Sequence, residues 1–185
     1  FAAPFVTDPG DLRQRRDAIA AAAALLLLAG VEIPPPITLG AVIEVPAAAL
    51  LAREILALSD FILIGLDSFA QQLLAADRQV RDPEVGGRLL GPHPVILRAV
   101  RKLAQIADAV EKELTVYGET VTEGATLPLL IGLGIKRIAV RPAQLAPTHA
   151  KLRALDLDTC TRVAEAACHA TTSAELQSIL PAAWR

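Results

Sequence analysis

The stretch Asp60-Phe61-Ile62-Leu63-Ile64-Gly65-Leu66 decides the fold. It is short, almost wholly apolar, and bounded by Ser59 before it and Asp67-Ser68 after it. A strand with one face in water alternates apolar and polar residues. A parallel strand is covered on both faces, so it reads as a continuous apolar run. Residues Asp60 to Leu66 are therefore read as a central parallel strand. Upstream, Leu39 to Val45 carries a second such run that ends on an acid, Glu44. Downstream, Leu114 to Tyr117 and Arg137 to Val140 read as further strands, and Phe5-Val6 closes a possible strand at the start of the chain.

Helical segments fill the spaces between these strands. Asp8 can cap the free N–H groups of a helix that begins at Pro9-Gly10-Asp11, runs to about Ala29, and is stopped by Gly30 and Pro34-Pro35-Pro36. Pro46 opens a helix through Leu58, at the first-turn position where proline is tolerated. A helix from about Phe69 to Arg78 follows, and then a polar loop over 79–92 with Gly86, Gly87 and Gly91. His93-Pro94 opens a long helix to about Glu113, with Val95, Ile96, Val100, Leu103, Ile106, Ala107 and Val110 near helical spacing. Another helix covers about Gly124 to Leu133, and Ala143 to Ala183 reads as short helices. Strict alternation of strand and helix argues for an α/β fold with parallel strands. A doubly wound sheet and a (β/α)8 barrel both satisfy the pattern, and a complete barrel usually needs about 250 residues.

Composition narrows the function classes. The chain has 185 residues and a net charge of −2, with a mean hydropathy of +0.44 and a pI near 5.9. A nucleic-acid partner would need a clustered basic face. The one basic run, Arg13, Arg15 and Arg16, is interleaved with Asp11 and Asp17 and reads as a solvated helix face. The most apolar run, Ile19 to Ala29, falls short of the roughly 20 residues that span a bilayer and lacks the flanks of a signal peptide. It is expected to be a buried helix, and no membrane insertion is expected. Cys160 and Cys168 share one predicted helix at a spacing of roughly 12 Å, too far for a disulfide. A reducing, cytoplasmic location follows as the expectation. The sequence opens on Phe1 and holds no methionine, as expected for part of a longer polypeptide.

In parallel α/β folds, ligands bind beyond the C-terminal strand ends. The polar residues there are Glu44, Asp67 with Ser68, Tyr117 with Glu119, and Arg141. Glu44 and Asp67, on adjacent strands, can share a hard divalent cation such as Mg²⁺, which takes carboxylate oxygens together with substrate phosphate oxygens. Ordinary polar strand ends produce the same pattern.

Particular segments go further. Ala41-Val42-Ile43-Glu44-Val45-Pro46-Ala47-Ala48 resembles the Glu-(Val/Thr)-Pro-Ala-Ala segment of enzyme I of the phosphotransferase system. Phe61 to Gln71, Leu74-Ala75-Ala76-Asp77-Arg78, Pro92-His93-Pro94-Val95-Ile96-Leu97-Arg98, Gly118-Glu119 and Pro128 to Gly134 resemble later segments of the same family, in the same order. Pyruvate phosphate dikinase and phosphoenolpyruvate synthase share the barrel. The Pro-His-Pro-Val-Ile-Leu-Arg stretch favours enzyme I, or a multiphosphoryl transfer protein that contains it. The resemblance implies that residues 1–185 are the C-terminal half of a phosphoenolpyruvate-binding (β/α)8 barrel. It implies a transferase of sugar transport that passes phosphoryl from phosphoenolpyruvate (PEP), through a histidine on another domain, to the carrier HPr. It also implies Mg²⁺ as cofactor and a homodimer.

Carried over by position, Glu44 is a metal ligand and Arg78 holds the substrate phosphate, which suits a guanidinium fork. Two positions depart from the family. Its Asn-Asp reads Asp67-Ser68 here, so the second metal-ligand carboxylate is displaced by one residue, and Asp67 becomes the candidate metal and substrate ligand. If strand geometry persisted there, Asp67 would face away from the expected side. The family's proton-donating cysteine is Tyr117, a phenol of pKa near 10 that can in principle protonate an enolate. A second reading is therefore kept: a barrel retained for dimerisation or regulation. His93 is expected to be a structural helix opener and His149 and His169 surface residues. The cysteines are expected to pack between helices. Half a barrel leaves open sheet edges that invite association.

Overall fold

A computed structural model of the chain describes residues 1–33, 37–77 and 91–184. Among the described residues five strands form one sheet: β1 (Ala2–Ala3), β2 (Gly40–Ile43), β3 (Phe61–Gly65), β4 (Glu113–Tyr117) and β5 (Arg137–Ala139). Their order is β1-β2-β3-β4-β5, and every neighbouring pair is parallel. This order separates the two architectures left open by the sequence. A doubly wound sheet reverses direction at a switch point. Here each strand lies beside its predecessor throughout, which is the winding of a (β/α)8 barrel. The sheet is an arc of such a barrel, with β1 and β5 as its edges.

The register assigns the faces. Ile43 pairs with Ile64, Ile64 with Val116, and Val116 with Ile138, so these side chains form one row across the sheet. Ala41, Ile62 and Leu114 form a parallel row on the same face, two residues earlier. Both rows belong to the main core, where helical residues including Ile55, Phe69, Val100 and Leu103 cover them. The opposite face carries Val42, Leu63 and Thr115, and of these Leu63 and Thr115 are half-buried. The apolar run at 61–65 is thus a parallel strand, as expected, but only its helix-side row is fully covered within this chain.

The helices are α1 (Pro9–Leu28), α2 (Pro46–Leu50), α3 (Ala52–Leu58), α4 (Leu66–Leu74), α5 (Pro94–Ala109), α6 (Thr126–Gly132), α7 (Pro142–Arg153), α8 (Leu157–His169) and α9 (Ser173–Ile179). Asp8 caps α1 by accepting from the Gly10 N–H at 2.6 Å. The helix expected over 46–58 is interrupted at Leu51, whose ψ of 22° separates α2 from α3. The expected burial of Ile19 to Ala29 does not hold. Leu25, Leu26, Leu27 and Leu28 are 68%, 48%, 60% and 86% exposed. Leu12 and Ile19, seven positions apart, do face the core. Consecutive leucines pass around the helix, so no stripe at helical spacing turns them inward. Among the described residues no helix is long and apolar enough to cross a membrane.

A second core joins α5, α6, α8 and α9 through Leu97, Leu129, Val163, Ala164, Cys168 and Leu176. A Cβ on Gly132 would sit 2.1 Å from the Cys160 carbonyl oxygen, so only glycine lets α6 and α8 approach this closely. Both cysteines are buried and free, and burial raises their thiol pKa values. Arg98 ties α5 to the end of α8 by donating to the Cys168 and Ala170 carbonyl oxygens at 2.6 and 2.7 Å.

Candidate functional site

Glu44 follows the last residue of β2 and is 6% exposed. The Phe5 N–H donates to its Oε2 at 3.1 Å, and the Tyr117 hydroxyl donates to its Oε1 at 3.3 Å. Tyr117 ends β4, where it pairs with Gly65 at the end of β3. The two side chains meet above that glycine. A Cβ on Gly65 would lie 2.9 Å from the phenol oxygen and 3.0 Å from Glu44 Oε1. Glycine at position 65 is thus what allows Glu44 and Tyr117 to touch across the intervening strand. Burial, and then the negative charge of Glu44, its hydrogen bond and the charge of Asp67, push the phenol above its ordinary pKa. Tyr117 is therefore a protonated donor toward Glu44 at neutral pH.

Asp67 is placed differently. The condition of continued strand geometry is not met, because α4 begins at Leu66, directly after Gly65. A helical residue turns by about 100° from its neighbour, where a strand residue flips to the other face. Asp67 lies in the first turn of α4, and its carboxylate reaches the turn after β4. It accepts from the Glu119 N–H at 2.6 Å, the Thr120 N–H at 3.2 Å and the Thr120 hydroxyl. Gly118 makes room for this contact. Its φ is +148°, and a Cβ there would lie 3.0 Å from the Asp67 carboxyl carbon. Sequence reasoning missed this role for Thr120 and Gly118. The available signal was the Gly-Glu-Thr sequence directly after a strand, a turn rich in N–H groups facing the next loop.

Arg141 precedes α7 and forms an ion pair with Glu119 at 3.4 Å. A cavity of about 420 Å³ opens between the ends of β4 and β5, with Asp67, Tyr117, Glu119, Arg141 and Gln144 in its wall. The structure therefore gathers Glu44, Asp67, Tyr117, Glu119 and Arg141 at one end of the sheet. Ser68 also lies in the first turn of α4 and is half-buried. Arg78 lies outside the described residues. His93 Nδ1 accepts from the Val95 N–H at 3.3 Å and so opens α5, while His149 and His169 are exposed.

Mg²⁺ demands oxygen ligands converging on one octahedral centre and retains several waters. The residues present do not fit it. Each oxygen of Glu44 faces a hydrogen-bond donor, Phe5 N–H or Tyr117 O–H. Both oxygens of Asp67 face the 119–120 turn. Ser68 offers a hydroxyl where the resemblance places a carboxylate.

Residues 2–157 match the family described as PEP-utilising enzyme, PEP-binding domain. The chain is 30% identical over 178 residues to the phosphoenolpyruvate-protein phosphotransferase of Listeria monocytogenes, covering 96% of this chain and 31% of that protein. It is 33% identical over 144 residues to the phosphoenolpyruvate-protein phosphotransferase of Chlamydia trachomatis, covering 76% of this chain and 24% of that protein. It is 29% identical over 153 residues to multiphosphoryl transfer protein 1 of Escherichia coli K12, covering 83% and 18%. The chain thus spans at most about a third of the length of these curated relatives. Among solved structures, a citrate lyase from Burkholderia xenovorans LB400 superposes with a TM-score of 0.55 at 16% identity, covering 96% of this chain and 60% of that one. Protein CitE from Mycobacterium tuberculosis, in complex with magnesium and acetate, superposes with a TM-score of 0.53 at 12% identity, covering 87% and 61%. At these identities the likeness is one of fold.

Proposed function

The chain belongs to the PEP-binding domain family of PEP-utilising enzymes, and from that premise we propose that it is the PEP-binding part of an enzyme I-type phosphotransferase. In this reading residues 1–185 are the C-terminal part of one barrel. The rim formed by Glu44, Asp67, Tyr117 and Arg141 receives PEP. Phosphoryl then passes to a histidine on another domain and on to an HPr-type carrier in the cytoplasm, serving sugar transport, and the protein works as a homodimer. The observation that carries the reading is the convergence of these polar side chains at the C-terminal ends of adjacent parallel strands, beside a cavity of about 420 Å³, in a chain whose family is defined by PEP binding. That is where parallel α/β folds bind their ligands. Tyr117 is the hydroxyl donor of this rim toward Glu44, and Arg78 is the arginine proposed for the phosphate.

The test is calorimetric titration of the full-length polypeptide with PEP, beside Arg78→Ala. Binding in the micromolar to millimolar range usual for substrates, lost in the variant, is the expected result. No heat with either protein, with or without Mg²⁺, defeats the reading. Sedimentation at micromolar concentration tests the dimer, and a clean monomer would sink that part.

A further inference from the structure

We propose that Tyr117 closes this rim to divalent cations, so that the rim takes its anionic ligand without a metal. The inference rests on the reading that the ligand is PEP. Three carboxylates stand at this rim, and one of them, Glu119, is already paired with Arg141 at 3.4 Å. Asp67 has both oxygens on the amides of Glu119 and Thr120. Position 68 is serine. That leaves Glu44, and its two oxygens are already divided between the Phe5 N–H and the Tyr117 O–H.

A cation approaching Oε1 must displace the phenol. It must also find space for itself and its waters, since Mg²⁺ sheds them reluctantly. That space is missing over Gly65, where a single added carbon would already stand 2.9 Å from the phenol oxygen and 3.0 Å from Glu44 Oε1. The contact is built from three strands: Glu44 after β2, Gly65 ending β3 and Tyr117 ending β4. A hydroxyl that donates a proton to Glu44 thus stands where a cation would have drawn on the same oxygen.

Mn²⁺, whose free form is read by electron paramagnetic resonance, is titrated into the full-length polypeptide and into Glu44→Gln, Tyr117→Ala and Tyr117→Phe. The wild type and Glu44→Gln should be indistinguishable up to millimolar Mn²⁺. Tyr117→Ala should gain a site about tenfold tighter or more, abolished when Glu44→Gln is added. Tyr117→Phe keeps the ring and loses the donor, so it should gain a few-fold, and it decides the matter if the alanine variant does not fold. Wild-type Mn²⁺ binding that Glu44→Gln removes, or no gain in a folded Tyr117 variant, overturns the proposal. A parallel PEP titration in chelator separates the two readings. PEP binding that requires Mg²⁺ overturns this inference and leaves the family reading standing. Absence of PEP binding in every condition overturns that reading instead, while the Mn²⁺ result still decides this one.

Discussion

Glu44 and Asp67 are carboxylates at the ends of neighbouring strands, and the chain treats them in opposite ways. Glu44 directly follows β2, and the extended Val45 separates it from the Pro46 that opens α2. Its side chain stands over Gly65 at the end of β3 and meets a phenol from two strands away. Asp67 comes after a strand that passes into helix with no intervening loop. The helical turn swings its carboxylate sideways, where it fastens the start of the next connection to α4. The same residue type thus becomes a lining group in one place and a staple in the other. The backbone immediately before it makes the difference.

If the comparison is right, the staple should matter most to local stability. Asp67→Ala strips the Glu119 and Thr120 amides of a charged acceptor, a loss of about 3 kcal/mol. Hydrogen exchange at those two amides should quicken about a hundredfold; unchanged exchange breaks the comparison. Gly118→Ala forces a side chain onto a φ of +148° and toward the Asp67 carboxyl, and should cost about 2 kcal/mol in a chemical denaturation series. Tyr117→Phe removes one donor from Glu44, which the strand itself continues to hold in place. Its stability cost should be about 1 kcal/mol, and a larger value would make Glu44 a staple as well.

The smallest effect concerns another staple, Asp11. The Thr7 N–H and then the Thr7 hydroxyl hold its carboxyl below the ordinary aspartate range. A folded pKa below the unfolded one gives stability that is whole above the unfolded value and lost as pH falls through the folded value. Thermal melts of the wild type should therefore lose a small increment below about pH 4, and Asp11→Asn should show no such increment.

The parallel strands were legible because a run such as Phe61-Ile62-Leu63-Ile64 is apolar on both faces, with no polar break. The winding was not legible, since strand order depends on which strands meet and the apolar runs look alike in either architecture. The rim residues Glu44, Tyr117 and Arg141 could be found as polar punctuation at strand ends. The destination of Asp67 could not, because it hinges on whether position 66 is still strand or already helix. Propensity does not resolve a boundary of one residue. The leucines of α1 misled for a related reason: apolar composition was read as burial, yet Leu25 to Leu28 lack the spacing that would give them a common face.

Because every strand pairs with the one made just before it, the sheet can grow in the order in which the ribosome delivers it. Each new strand after β1 finds its partner already in place, and none of them waits for a strand made later to complete that pairing. Loop-closure entropy rises only slowly with the length of the connection between partners. In the proposed reading the exception is the outer flank of β5, where the arc would close against the first strand of the barrel.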